Sequence, residues 1–297
     1  MSATVKSPEE LIDVVLVQQL IATQFPQWKH LPIKQVLPGG WDNRTFLLGD
    51  CMSVRLPSAA DYIAQVEKEH TWLPKLAPNL SILIPKPIAK GIPALNYPWP
   101  WSVYAWLEGE PTHADLIGNQ EEFARSLARF LVELHQVDTT EAPEPGLHNF
   151  YRGGALSAYD GETRASLELL TGRIDTASAL EIWERAVGST WNRPGVWVHG
   201  DMACGNLLVK DGKLHAIIDF GCSAVGDPAC DLVIAWTLLD EQSRRVFRSE
   251  IALDDATWAR GRGWALWKAL ITMTNPVQNQ QKIDEAEQVI QQLLGSD

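Results

Sequence analysis

The feature that most constrains the fold is a change of hydrophobic rhythm near Leu107-Glu108-Gly109-Glu110. Upstream, short β-prone runs alternate with turn residues. Runs at 33 to 37 and 44 to 48 flank Pro38-Gly39-Gly40-Trp41-Asp42-Asn43, and a third, Met52 to Leu56, follows the turn at Gly49-Asp50. This spacing predicts an antiparallel meander. A helical pattern over 61 to 76 (Tyr62, Val66, Glu69, Leu73, Leu76) and, after a Pro-rich turn at Pro85 and Pro87, a strand-like WSVYAW segment at 101 to 106 complete this half. An N-terminal helix over about residues 8 to 24 is expected from the capping-box spacing of Ser7-Pro8-Glu9-Glu10. Downstream, helical periods dominate. Asn119 precedes Phe123, Leu127, Phe130, Leu131 and Leu134, an apolar face recurring at threes and fours, and more helix is expected from about 161 to 187. Segregation of strands from helices predicts an α+β protein. The boundary between the two parts, 1–106 and 107–297, is placed at a short hinge.

Composition narrows the function. Among 297 residues, 37 Asp and Glu outweigh 25 Lys and Arg, a net charge of -12. That excess repels the phosphates that dominate nucleic-acid affinity and disfavours anionic membrane surfaces, whereas it is compatible with a cationic ligand. No run approaches the length of a transmembrane helix, and Glu9, Glu10 and Asp13 interrupt the place of a signal sequence, so the cytoplasm is the expected location. Four cysteines without CxxC spacing predict reduced thiols.

One β island interrupts the helical half. Val196-Trp197-Val198 leads into HGDMACGN (199 to 206), then Leu207-Leu208-Val209, the pair Asp211-Gly212, and Leu214 to Ile218 ending in Asp219-Phe220-Gly221. Asp-Gly between two apolar runs predicts a hairpin, which returns the chain so that Asp219 at its exit lies near Asp201 and Asn206 at its entrance. Two carboxylates and an amide suit Mg²⁺, which usually takes one or two protein carboxylates and completes its shell with water and substrate phosphates. The remaining carboxylate would position a substrate hydroxyl in phosphoryl transfer. The plainer alternative is that these side chains bond their own loop backbone.

HGDMACGN followed by IIDFG (217 to 221) resembles the catalytic loop and metal-binding segment of the aminoglycoside phosphotransferase family, small-molecule kinases with a protein-kinase-like fold. The resemblance extends from about residue 33 to 275 and implies two lobes: a small antiparallel-sheet N-terminal lobe that binds nucleotide and a mainly helical C-terminal lobe that binds the acceptor. It implies Asp201 as the catalytic carboxylate, Asn206 and Asp219 as Mg²⁺ ligands, and ATP or GTP as phosphoryl donor. Gly39, Gly40 and Asn43 fall in the loop that covers the nucleotide phosphates, where glycine lets backbone approach an anion. The family's lysine is replaced by Arg55, with Glu69 as its expected partner, at an E-x-x-W-L spacing, and Glu67 as a rival; Arg can still neutralise phosphate and bind a carboxylate bidentately. Some macrolide kinases of the same superfamily look similar at this position. Tyr104 would lie at the back of the purine pocket, with main-chain groups of Ala105 and Leu107 meeting the base edge.

Gly226-Asp227-Pro228-Ala229-Cys230-Asp231-Leu232 matches a further family signature. Asp227 suits an N-cap, Pro228 suits the first helical position and Asp231 the first turn. The alternative is that Asp227 or Asp231 lines the acceptor pocket. Trp264 and Trp267, near Lys268, are core residues or an acceptor platform; His199 has the look of a general base, but the family resemblance implies that it braces the loop instead. The implied activity is transfer of a γ-phosphoryl group to a hydroxyl of a small molecule, by default an aminoglycoside antibiotic, with resistance as the consequence. The alternatives are a macrolide or small-metabolite kinase (homoserine-, choline- or fructosamine-like) and, because of Arg55, a nucleotide-binding pseudokinase.

Overall fold

The computed structural model describes residues 12–37, 39, 40 and 42–295. The chain divides into two compact units, one of residues 1–108 with 216–221, the other of 109–215 with 222–297. The second crossing and return fall at the end of the Asp-Gly hairpin, so Asp219 belongs to the first unit and Asp201 and Asn206 to the second.

The first unit opens with α1 (Val14–Gln24), capped by Asp13, whose carboxylate accepts the N–H of Leu16 at 2.8 Å. Ile12 and Asp13 are not helical, so the described helix begins later than the expected residue 8; the Ser7 to Glu10 signal lies outside the described residues. Strands β1 (Ile33–Gln35), β2 (Asn43–Leu48) and β3 (Met52–Pro57) form the expected meander. After α2 (Ile63–Leu76) come β4 (Pro87–Gly91) and β5 (Trp101–Ala105). All neighbours pair antiparallel in the order β1-β2-β3-β5-β4. The sequence reading placed a turn where β4 lies. Pro87 is tolerated because it begins an edge strand, where a missing N–H costs no ladder bond. Leu20, Phe46, Leu48, Val54, Leu56, Trp101 and Val103 fill the core between α1 and one face of the sheet.

The second unit begins with β6 (Glu110–Pro111) and α3 (Gln120–Gln136), for which Asn119 is the N-cap, accepting the Glu122 N–H at 3.0 Å. Helices α4 (Asp160–Leu169) and α5 (Thr176–Val187) follow. Then come β7 (Val196–Val198), β8 (Leu207–Lys210), β9 (Lys213–Ile217), whose last two residues belong to the first unit, and β10 (Ala224–Gly226). Asp211 and Gly212, at φ 53° and 74°, form the left-handed turn that a tight hairpin needs. The helices end with α6 (Ile234–Thr237), α7 (Glu241–Ile251), α8 (Asp255–Thr274) and α9 (Gln280–Leu294). The apolar stripe of α3 is buried as its period demands, and α8 is flanked by α5 and α9. Among the described residues no helix is long and apolar enough to cross a membrane.

Candidate active site

In the second unit, β7 and β10 pair with Val198 opposite Ala224 and deliver the chain into the 199–206 loop. Gly200 sits at φ +83°, and a Cβ there would overlap the carbonyl of Cys222, so only glycine fits. Asp231 is fully buried and accepts the backbone N–H groups of His199 (2.7 Å) and Gly200 (2.8 Å). Burial raises its pKa against the lowering effect of His199 and of those two N–H groups. His199 is also buried, and its Nδ1 accepts the N–H of Asp201 at 3.2 Å, the bracing role expected of it.

Asp201 emerges half-buried from this braced loop. Asn206 donates from Nδ2 to the Asp201 carbonyl (2.9 Å) and to its Oδ2 (3.1 Å), while Lys268, from α8, donates to Oδ1 at 2.9 Å. Desolvation pushes the Asp201 pKa up, but Lys268, by charge and hydrogen bond, and then Arg152 and His199 outweigh it and lower it to about 2. The carboxylate is therefore ionised at neutral pH. Asn206, with its N–H group committed to Asp201, keeps its amide oxygen as the acceptor a hard cation needs.

Asp227 and Asp231 both take the structural roles that their capping positions suit. Asp227 caps the turn Pro228–Val233 through the Ala229 N–H (3.0 Å) and is locked in a buried ion pair with Arg260 at 2.6 Å. Asp231 is consumed by the loop. Both carboxylates thus have the partners that a buried charge requires. Trp264 and Trp267 are buried, yet with Lys268, Arg152, Asp201 and Cys230 they line a small cavity, so they are core and wall at once. Lys268 stands beside Trp264 and Trp267 in the sequence, but its pairing with Asp201 does not show there, and neither does the place of Arg152 in the cavity. The spacing of Trp264, Trp267 and Lys268 at three and four on one helix face was a usable signal for Lys268; no local signal marks Arg152.

The first unit holds a second polar cluster. Arg55 of β3 lies 3.5 Å from Glu69 of α2 and 3.3 Å from Asp219, with its guanidinium 5.5 Å from the Tyr104 ring centroid. Tyr104 donates its hydroxyl to Glu69. Burial works to lower the Arg55 pKa, and Glu69 and Asp219 together reverse this and raise it. Asp219 stands at φ +69°, a strained position for a side chain larger than glycine. Its segment is anchored by the Ile217 N–H on the Leu83 carbonyl (2.9 Å) and by Lys68 on the Gly221 carbonyl. Glu67 is exposed and pairs instead with Lys90. Between the two rivals, Glu69 is thus the partner of Arg55.

Residues 39 to 43 are tethered at their end. The Asp42 carbonyl accepts the Ser58 N–H (2.8 Å), its carboxylate accepts from Gln65 (2.9 Å), and Arg44 donates to the Gly40 carbonyl (2.7 Å). Among the described residues a Cβ at Gly39 would meet nothing within 4 Å, and at Gly40 only the Asn43 carbonyl, at 3.6 Å, so none of them requires these glycines for packing. Pro38 and Trp41 lie outside the described residues. Asn43 is buried at the start of β2. The Ala105 N–H is used by the Lys86 carbonyl (2.9 Å) and that of Trp106 by Cys51 (2.8 Å), so a base meeting Ala105 has only its carbonyl.

An antiparallel sheet with helices α1 and α2 in one unit, and a helical second unit carrying HGDMACGN on a braced loop, define a kinase-like phosphotransferase fold. The chain belongs to the phosphotransferase enzyme family, whose model matches residues 35–264, and it is by that membership a small-molecule kinase. Over 232 residues it is 25% identical to the uncharacterized protein YcbJ of Bacillus subtilis (strain 168), covering 71% of this chain and 69% of that one. It superposes on a mutant of aminoglycoside 2'-phosphotransferase-IIIa in complex with GDP at a TM-score of 0.73 with 18% identity, covering 95% of this chain and 96% of that chain. It also superposes on the apoenzyme of macrolide 2'-phosphotransferase MphH from Brachybacterium faecium at a TM-score of 0.61 with 19% identity, over 93% and 98%. At these identities the two structures establish the fold.

Proposed function

We propose that this protein transfers the γ-phosphoryl group of ATP or GTP to a hydroxyl of a small molecule. The observation that carries the reading is Asp201: an ionised carboxylate, presented by a loop whose backbone is fixed by Asp231, with Asn206 bonded to it. Each Asp201 oxygen accepts one hydrogen bond, from Asn206 or from Lys268, and a remaining lone pair of the carboxylate aligns the acceptor hydroxyl. As the new bond from the acceptor oxygen to the γ-phosphorus forms, the bond from that phosphorus to the β,γ-bridging oxygen breaks. The electron pair leaves with the nucleoside diphosphate, and the hydroxyl proton passes to Asp201. A carboxylate of low pKa is a weak base, so its main contribution is orientation, with proton transfer late.

Asn206 and Asp219 fit Mg²⁺ by donor chemistry, a free amide oxygen and a carboxylate; when bound, the ion neutralises charge developing on the phosphate oxygens. In this reading the part before residue 107 binds nucleotide and the part from 107 onward carries catalysis and acceptor binding. Arg55, paired with Glu69 and Asp219, engages the α- and β-phosphates in place of lysine. Gly39 and Gly40, which no packing among the described residues requires, leave room for backbone N–H groups to approach phosphate beside Asn43, and the Ala105 carbonyl and the Leu107 N–H address the base. Nucleotides appear in structural neighbours with GDP and with ATP, which supports either donor. Aminoglycosides and macrolides are the acceptors named for those neighbours, and fold does not choose between them and small metabolites. A cytoplasmic location follows from the same reading.

The test is transfer from γ-labelled ATP and GTP to a panel of aminoglycosides, macrolides and small hydroxyl metabolites, with Gly39→Val as a nucleotide-loop control. Transfer to at least one acceptor, with a raised nucleotide KM in Gly39→Val, is the expected result. Binding of Mg²⁺-nucleotide without transfer to any acceptor would establish the pseudokinase instead.

A further inference from the structure

The cavity beside Asp201 has an unexpected electrostatic character. Its charged walls are Asp201, Lys268 and Arg152, one negative group against two positive ones. Lys268 uses one of its three donors on Asp201. Arg152 forms no ion pair among the described residues, and its buried Nε has no hydrogen-bond partner. Its guanidinium instead lies 4.4 Å from the ring centroid of Trp267, 5.3 Å from that of Trp264 and 5.7 Å from that of Tyr159. The three rings pack on one another at 4.2 to 5.7 Å, two of the contacts edge-on and one tilted. Such a cluster of ring faces is the surface on which a ligand cation would settle. Here the chain's own cation already occupies it.

The position of Arg152 is built, not incidental. Phe150 and Tyr151 before it stand at φ 54° and 55°, and Gly153 after it at +79°. This left-handed run is held by Asn149, fully buried, which donates to the carbonyls of Arg152 (2.8 Å) and Cys222 (3.1 Å), and by the Gly153 carbonyl, which accepts the Asp227 N–H at 2.7 Å. Backbone strain of this kind persists where surrounding structure fixes it. The neighbouring carboxylates do not cancel the charge. Asp160 is paired with Arg164, Asp227 with Arg260, Asp231 is sealed under the loop, and exposed Glu162 accepts the indole N–H of Trp267 from outside.

We infer that the acceptor carries an anionic group, a carboxylate or a phosphate, which Arg152 with Lys268 binds beside the hydroxyl aligned on Asp201. A planar guanidinium fixed on aromatic faces offers a pre-organised fork of donors for such a group. A polycation would meet two positive charges and find its aromatic platform filled. The net acidity of the chain is therefore no guide to this pocket. The inference rests on the phosphotransfer reading for the location of the hydroxyl.

The experiment uses probes matched in scaffold: gluconate, glucose 6-phosphate, glucose and glucosamine, with kanamycin as a polycation. Calorimetric titration into the full-length protein without nucleotide reads preference without chemistry, and transfer from γ-labelled nucleotide reads it with chemistry. An anionic probe is expected to bind roughly tenfold or more tightly than glucose, with glucosamine and kanamycin weakest. Gluconate and glucose 6-phosphate separate carboxylate from phosphate. Arg152→Gln is expected to erase that preference, and Arg152→Lys to restore part of it, with the nucleotide KM unchanged in both. Anionic probes no tighter than glucose, a preference for glucosamine or kanamycin, or a preference that survives Arg152→Gln would overturn the inference. An altered nucleotide KM in Arg152→Gln would do so too, by assigning the guanidinium to the donor. Charge preference that Arg152→Gln erases, without transfer to any acceptor, would keep the anion site at Arg152 and defeat the phosphotransfer reading, and with it the placing of that anion on an acceptor.

Discussion

The two polar clusters are built with opposite charge logic. Around Arg55 one cation is held by two carboxylates, Glu69 and Asp219; around Asp201 one carboxylate is flanked by two cations, Lys268 and Arg152. The ion pair of the first cluster is the longer, 3.5 Å for Arg55–Glu69 against 2.9 Å for Lys268–Asp201, but its side chains are only 15% and 4% exposed against 35% and 38%. Distance and energetic weight thus run in opposite directions. Burial strips the screening from the first pair, while water screens the second, which is better suited to let a charge be exchanged during turnover.

That comparison can be broken by substitution. Arg55→Met strands the buried Glu69 carboxylate beside Asp219 and is expected to destabilise the fold by about 3 kcal/mol, read from denaturant unfolding. A loss below about 1 kcal/mol would mean that the first cluster is screened like the second. Glu69→Gln keeps shape and the Tyr104 contact but releases Arg55. It is expected to raise the nucleotide KM about tenfold, or ~1.4 kcal/mol, with kcat less affected.

Lys268→Met is expected to cost under about 1 kcal/mol in stability, because its pair is half-exposed. Its signature is in pH. Asp201 in the native protein titrates at about 2, below the ordinary carboxylate range, so its contribution to stability is present above the unfolded pKa and is lost as pH falls through about 2. Removing Lys268 takes away the largest force holding that value down, and the acid limb of the kcat profile moves to higher pH. An unmoved limb would assign that limb to another group. Smallest of all, Lys90→Ala, which breaks the exposed pair with Glu67, is expected to change stability by no more than about 0.5 kcal/mol and leave activity unchanged.

Much of this architecture is legible along the chain because it is local. Asp211-Gly212 dictates its hairpin, Asn119 its helix start, and the change of period after residue 107 the division into sheet and helices. The choice of Glu69 over Glu67 was legible too: Glu69 shares the buried face of α2 with Val66 and Leu73, while Glu67 faces outward. What the sequence conceals is what tertiary packing brings together. Lys268 reaches Asp201 across 67 positions. Arg152 lies in a loop rich in Pro and Gly, where no periodicity marks a residue as inward-facing. Asp227 and Asp231 carry a good capping signal, yet the ion pair with Arg260 and the brace under His199 and Gly200 depend on partners some thirty residues away. Strand β4 hides behind its prolines.

The central claim is that Asp201 acts on the acceptor hydroxyl and not on the nucleotide. Nucleotide affinity and turnover measured on one preparation of Asp201→Asn test it most directly. The account predicts a fall in kcat of about 10²- to 10⁴-fold with nucleotide affinity within about twofold of the wild type; a variant that turns over as fast as the wild type would contradict it.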